Sequence, residues 1–139
     1  MRNKTRALLI ISMTLMLSSL AFARPEDEHF SVKEYNKFHD LLHPLQHDAL
    51  PAKDFKRIRL NAGELARRGD AMVRLGVPKG TEAKHVEEFR SQLKKFKDAL
   101  GQLRQHSKSG TDEQLEGSFG AVHDSFEMLA GMLPRKHSN

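Results

Sequence analysis

Residues 86–103 read VEEFRSQLKKFKDALGQL, and apolar residues recur in this stretch at every third or fourth position. The residues that this spacing places on one side of an α-helix are Val86, Phe89, Leu93, Phe96, Leu100 and Leu103. The opposite side is dense in Lys, Glu and Arg, which keep contact with water. The stretch therefore predicts the centre of an amphipathic helix over about 82–107, with Thr81 as its N-cap and Gly110 at its end.

Three further segments show the same helical periodicity, and proline or glycine residues separate them. The first covers about 31–50, the second about 52–75, and the last runs from Thr111 to just before Pro134. The apolar stripe of the first segment consists of Tyr35, Phe38, Leu42, Leu45 and Ala49. That of the second consists of Phe55, Ile58, Ala62, Leu65, Met72 and Leu75. That of the last consists of Leu115, Phe119, Val122, Phe126, Leu129 and Leu133. No segment has the alternating pattern of a β-strand. We expect an all-α fold, an antiparallel up-down-up-down four-helix bundle, because short links make helices pack beside their chain neighbours.

Local signals mark where these helices begin and where the first one is interrupted. Ser31 with Glu34, and Thr111 with Gln114, fit the capping-box pattern at a helix N-terminus. Pro44 lies inside the first segment and removes one backbone donor. The first helix is therefore expected either to kink or to divide at this proline.

The N-terminal residues are organised like a secretory signal peptide. A positively charged region over 2–6 precedes an apolar stretch over 7–20, and residues 21–23, Ala-Phe-Ala, fit the small-x-small cleavage pattern. We predict that residues 1–23 are a signal peptide and that residues 24–139 form one periplasmic domain. An uncleaved N-terminal anchor is the alternative, although the apolar stretch is short for a membrane span.

Charge and cysteine content exclude several classes of protein. Removal of the signal peptide lowers the Lys and Arg count from 23 to 20 while Asp and Glu stay at 18, so the net charge falls from +5 to +2. No basic patch is interleaved with aromatic residues, so we expect no nucleic-acid partner. A second long apolar run is missing, so we expect no membrane contact after signal removal. Because the chain has no cysteine, its apolar core must hold the domain without disulfides.

Histidine placement is the one unusual chemical feature of the chain. All eight histidines lie after the predicted signal peptide, and His39, His43 and His47 follow one another at intervals of four residues. Residues at that spacing lie one turn apart on nearly the same face of a helix. On a straight helix the three would lie about 80°, 120° and 160° from the centre of the apolar stripe, so His47 would face solvent. A hydrated polar flank without any ligand is the alternative interpretation.

The last predicted helix carries groups that match this flank. His123 and Glu127 lie beside its apolar stripe, on the side that faces the first helix if the two helices are antiparallel. Imidazole and carboxylate ligands suit zinc, copper or nickel. The predicted metal ligands are His39, His43, His123 and Glu127. Asp40 and Asp124 are candidates to orient a ligand imidazole.

Residues 119–127, FGAVHDSFE, resemble the C-terminal haem motif of the cytochrome c′ class (class II c-type cytochromes), in which Cys-x-x-Cys-His stands on the last helix. That family consists of exported four-helix bundles of this size that are often dimers, so the resemblance implies this fold and a homodimer. Phe119 and Val122 stand at the two cysteine positions, which excludes covalent haem attachment. Only His123 matches a family ligand, so the resemblance implies a bundle that has lost c-type haem and leaves non-covalent haem, with His123 as cofactor-binding residue, as an alternative.

Three functions remain open from the sequence. The first is a periplasmic metal-binding protein, such as a sensor, buffer or carrier. The second is a non-covalent haem-binding or electron-transfer protein of cytochrome c′ type. The third is a structural or interaction module without a ligand. Enzyme activity is not expected, because a small packed bundle offers little concave volume for a substrate.

Overall fold

A computed structural model of the protein describes residues 29–135. Regular structure in this range is entirely helical, which confirms the all-α prediction. The elements are α1 (Lys33–Pro44), a π-helical turn (Leu45–Ala49), α2 (Phe55–Leu75), a 3₁₀ turn (Ala83–His85), α3 (Val86–Ser109) and α4 (Asp112–Gly131). The predicted signal peptide at 1–23 lies outside the described residues.

The apolar stripes seen in the sequence form one hydrophobic core. The largest side chains that are completely buried in it are Tyr35, Phe38, Phe89, Phe96, Phe119, Phe126, Leu42, Leu45, Ile58, Leu65, Met72 and Leu100. Burial of each such side chain stabilises the fold by about 1.5–3 kcal/mol before the entropy of ordering is subtracted. The stripe prediction is not met at the ends of three stripes, where Leu75 is 43% exposed and Phe55, Val86 and Leu133 are only partly covered.

The helices differ in how closely their backbones approach. α3 packs against both α2 and α4, and α1 packs against α2. Gly69 of α2 allows the close approach to α3, since a Cβ atom there would lie 2.6 Å from Leu100 Cδ1. The backbones of α1 and α4 stay further apart than those of the other neighbouring pairs. No helix within residues 29–135 has both the length and the apolar character that a membrane span requires.

Aromatic rings fill the space between α1 and α4. Phe126 of α4 lies with its ring centroid 6.0 Å from that of Tyr35 and 5.1 Å from that of Phe38, both on α1. Phe30, which precedes α1, adds an edge-on contact to Phe126 at 5.5 Å. We call Phe30, Tyr35, Phe38 and Phe126 the aromatic layer, because it separates the two helices.

Side-chain caps begin α2 and α4 as the physics of helix termini requires. Thr111 accepts from Gln114 N–H at 3.1 Å, and Gln114 Oε1 accepts from Thr111 N–H at 3.0 Å, so the predicted capping box is confirmed. At the start of α2, Asp54 accepts from Arg57 N–H at 3.0 Å. Each of these bonds satisfies a backbone donor that has no partner within the helix.

The other two predicted N-caps are wrong. Val32, and not Ser31, precedes α1, and no side chain caps it. Instead Asn36 exchanges two hydrogen bonds with Phe30, of 2.6 and 2.9 Å, and so fixes the entering chain against the first turn. Thr81 donates its hydroxyl to Pro78 O at 2.7 Å and is followed by the 3₁₀ turn, so that α3 starts only at Val86.

Pro44 changes the hydrogen-bond pattern of the first helical segment without interrupting it. Proline has no N–H to donate, and the next amide, that of Leu45, donates to Leu42 O, three residues back. Beyond it the helix widens into the π-helical turn, in which Leu50 N–H donates to Leu45 O at 2.9 Å, five residues back. Leu45 and Ala49 are both buried, which anchors the widened turn in the core.

Candidate metal-binding site

The four predicted metal ligands are placed as two separate pairs in the structure. His39 and His43 lie one turn apart on α1, with ring centroids 5.2 Å from each other. His123 and Glu127 lie one turn apart on α4, with His123 Nε2 3.8 Å from Glu127 Oε1. Among residues 29–135, no three His, Cys, Asp or Glu side chains come close enough together to hold one metal ion.

The pair on α4 has one feature of a ligand histidine. Asp124 Oδ1, which the sequence proposed as a group to orient a ligand imidazole, lies within hydrogen-bond distance of His123 Nδ1, at 3.3 Å. Nε2 then faces Glu127, whose side chain is 59% exposed. A carboxylate on one imidazole nitrogen commonly orients the other nitrogen toward a metal ion.

His39 packs against the aromatic layer. Its ring stacks on Phe126, with centroids 5.9 Å apart and planes 19° apart, and receives the Phe30 ring edge-on at 5.4 Å. The sequence pattern placed His39 beside the apolar stripe of the first helix but did not predict these ring contacts.

His47 is the functional candidate that sequence reasoning did not select. Its ring centroid lies 4.3 Å from that of His43, closer than His43 lies to His39. Both His43 and His47 are exposed to solvent. Pro44 was the signal in the sequence that could have identified His47. A helix that widens after a proline changes the angle between the residues before and after that proline. We refer to His39, His43 and His47 as the histidine series.

Apolar side chains occupy the positions that the haem-attachment cysteines have in cytochrome c′. Phe119 and Val122, at those two positions, are fully buried core residues. The His123 side chain is 26% exposed on α4.

Tyr35, a member of the aromatic layer, carries a buried polar group. Its hydroxyl is fully buried and, like Gln46 Oε1 and His106 Nδ1, has no hydrogen-bond partner within the described part of the chain. Burial raises the pKa of this phenol, since the charged form would lose its hydration. Tyr35 is therefore a neutral core residue at ordinary pH.

Comparison of the chain with protein-family models, with curated proteins and with solved structures gave no match. The similarity to cytochrome c′ consequently rests on residues 119–127 and on the helical fold. The function is therefore inferred from the histidine side chains described above.

Proposed function

We propose that this protein is exported to the periplasm, folds as an antiparallel up-down-up-down four-helix bundle and binds one transition-metal ion through histidines, without enzymatic activity. The short connection between α3 and α4 and the packing of α3 against both neighbours support the bundle topology. The signal-like pattern at residues 1–23 supports the location.

The histidine series on α1 and the π-helical turn that follows it is the observation that carries the metal-binding proposal. Its consecutive rings have centroids 5.2 and 4.3 Å apart, so several nitrogen donors lie along one side of a single helix. Neutral imidazole is the most common protein ligand for transition metals. A site on one helix also needs no rearrangement of the surrounding fold.

The four-residue site predicted from the sequence would need a larger rearrangement of side chains than a site on the histidine series. His39 and His43 would have to meet His123 and Glu127, whereas the His39 ring packs against Phe126 and Phe30. Displacing buried aromatic rings costs several kcal/mol, which metal binding would have to supply. The His123–Glu127 pair on α4 is therefore the competing metal site. Replacement of His123 distinguishes it from the histidine series.

A thermal melt with and without metal tests the proposal. A ligand that binds only the native state adds about 2.7 kcal/mol of stability at a hundredfold excess over its Kd. For a domain of this size we expect Tm to rise by about 10 °C with Cu²⁺, Ni²⁺ or Zn²⁺. The rise should shrink below about pH 6, where protonated imidazoles no longer bind metal.

Two further results would point to other functions. A Soret band and a Tm increase after addition of haem would favour the cytochrome-like alternative. If neither metal nor haem changes Tm, the protein is a structural or interaction module, and its function lies in its partners.

A further inference from the structure

We propose that His43 and His47 form a two-nitrogen site for Cu²⁺ or Ni²⁺, which the π-helical turn after Pro44 creates. The inference rests on the proposed metal-binding function and specifies its ligands and metal class. It replaces the predicted partners on α4 with a residue that lies four positions further along the same helical segment.

The two rings lie close to each other on the protein surface. Their centroids are 4.3 Å apart with planes inclined by 41°. Both side chains are exposed, so an ion and its remaining water ligands can reach them. His39 differs from them, because its ring is partly covered and packs against Phe30 and Phe126.

The backbone explains why this pair is closer than the preceding one. In an α-helix, residues four apart are rotated by about 40° relative to each other. A π-helical turn has more residues per turn, so the rotation per residue is smaller and this offset decreases. His47 lies inside the turn and His43 just before it, and their centroid separation is 4.3 Å against 5.2 Å for His39 and His43.

The core holds the turn in this geometry without help from a metal. Leu45 and Ala49 are each only 1% exposed, so both ends of the turn are fixed by packing. Two hydrogen bonds that span five residues, Leu50 N–H to Leu45 O and Asp54 N–H to Ala49 O, are both 2.9 Å long. The backbone that carries the ligand pair is therefore pre-ordered, which lowers the entropy cost of binding.

The number of donors selects the metal. Structural zinc sites use four protein ligands in a tetrahedron, and no third metal-ligating side chain joins a common site within residues 29–135. Cu²⁺ and Ni²⁺ accept two neighbouring nitrogens in a square or tetragonal arrangement and complete it with water. For the same ligands, affinity rises from Ni²⁺ to Cu²⁺. We therefore expect Cu²⁺ to bind most tightly, then Ni²⁺.

Calorimetric titration of the full chain with Cu²⁺ and with Ni²⁺ tests the ligand pair. We expect one ion per chain, and His43→Ala or His47→Ala should each weaken binding about a hundredfold, because loss of one donor removes the effective-concentration advantage of the second. His85→Ala, which changes a histidine at the start of α3, is the matched control and should bind like the unchanged protein. Both site variants replace exposed side chains, so their metal-free Tm should stay within a few degrees.

Spectroscopy provides a measurement that does not depend on affinity. The electron paramagnetic resonance spectrum of the Cu²⁺-loaded protein should show hyperfine coupling to two imidazole nitrogens, and His47→Ala should show coupling to one. Pro44→Ala tests the backbone. If this substitution restores α-helical spacing, the variant keeps both ligand histidines but should bind Cu²⁺ several-fold more weakly. Unchanged affinity for Cu²⁺ would refute the role of the turn.

The outcomes separate this inference from the proposed function. If neither Cu²⁺ nor Ni²⁺ binds the unchanged protein, both fail. If the metal binds and His123→Ala abolishes binding while His47→Ala does not, the protein is a metal binder whose site lies on α4, and the His43–His47 site is refuted. Loss of binding in His43→Ala and His47→Ala alone supports it.

Discussion

The first helical segment and α3 bury the same kind of apolar stripe on different backbones. α3 keeps α-helical geometry from Val86 to Ser109, whereas α1 ends at Pro44 and continues as a π-helical turn. In both, the residues of the predicted stripe reach the core, from Phe38 to Ala49 in one and from Phe89 to Leu103 in the other. A change in hydrogen-bond pattern thus leaves the apolar stripe buried. It does change the spacing of surface side chains such as His43 and His47.

Truncation of a core ring in each segment should have the largest effect. Phe38→Ala and Phe96→Ala should each destabilise the fold by about 3–5 kcal/mol, because both side chains are fully buried. Denaturant unfolding measures both values. Since the two rings are in contact, with centroids 5.3 Å apart, the double variant should lose less than the sum. A much smaller loss for Phe38→Ala would show that the π-helical turn loosens the core on its side.

Glycine substitutions in α2 test the close packing of α2 against the regular helix α3. Gly69→Ala would place Cβ 2.6 Å from Leu100 Cδ1, so Leu100 must move within a packed core. The overpacking costs about 1–3 kcal/mol, and better helix propensity offsets about 1 kcal/mol of it. We expect a net loss in urea unfolding. Gly63→Ala, which meets nothing within 4 Å, is the control and should gain up to about 1 kcal/mol.

The helix starts give a smaller contrast. Thr111→Ala removes the capping box of α4 and should cost about 1 kcal/mol. Ser31→Ala should change stability by less than about 0.5 kcal/mol, because Val32 precedes α1 and no side chain caps it. Thermal or chemical unfolding of the two variants measures this directly. Equal losses would mean that Ser31 caps α1 after all.

The smallest expected effect is a pH dependence at the contact between α1 and α2. Hydrogen bonds from Arg67 and then Arg68 lower the pKa of Glu64 to about 2, and Arg68 also donates to Lys37 O on α1 at 2.6 Å. Because the folded pKa lies below the unfolded one, this stabilisation is present above about pH 4.5 and is lost as pH falls toward 2. The pair is exposed, so the effect is small.

Urea midpoints at pH 5 and pH 2.5 measure this dependence. Glu64→Gln is the control, and it should reduce the difference between the two midpoints. An identical difference in both proteins would assign the pH dependence to other carboxylates.

The sequence alone determined the helical fold and most of the core. Periodicity identified four helices and nearly every buried side chain, because burial depends only on which face of a helix is apolar. The capping box at Thr111 was equally readable, since both partners lie within four residues. The caps proposed at Ser31 and Thr81 were wrong because Asn36 and Pro78 offer competing hydrogen bonds that the pattern does not reveal.

The arrangement of the candidate site was decided by the tertiary structure. His39 stacks on Phe126 of the aromatic layer, a contact between residues about 90 positions apart in the chain. The widened turn brings His47 beside His43, and its geometry depends on the anchoring of Leu45 and Ala49 in the core. A sequence pattern assumes a fixed number of residues per turn, whereas packing sets that number at each turn and fills the space between the helices.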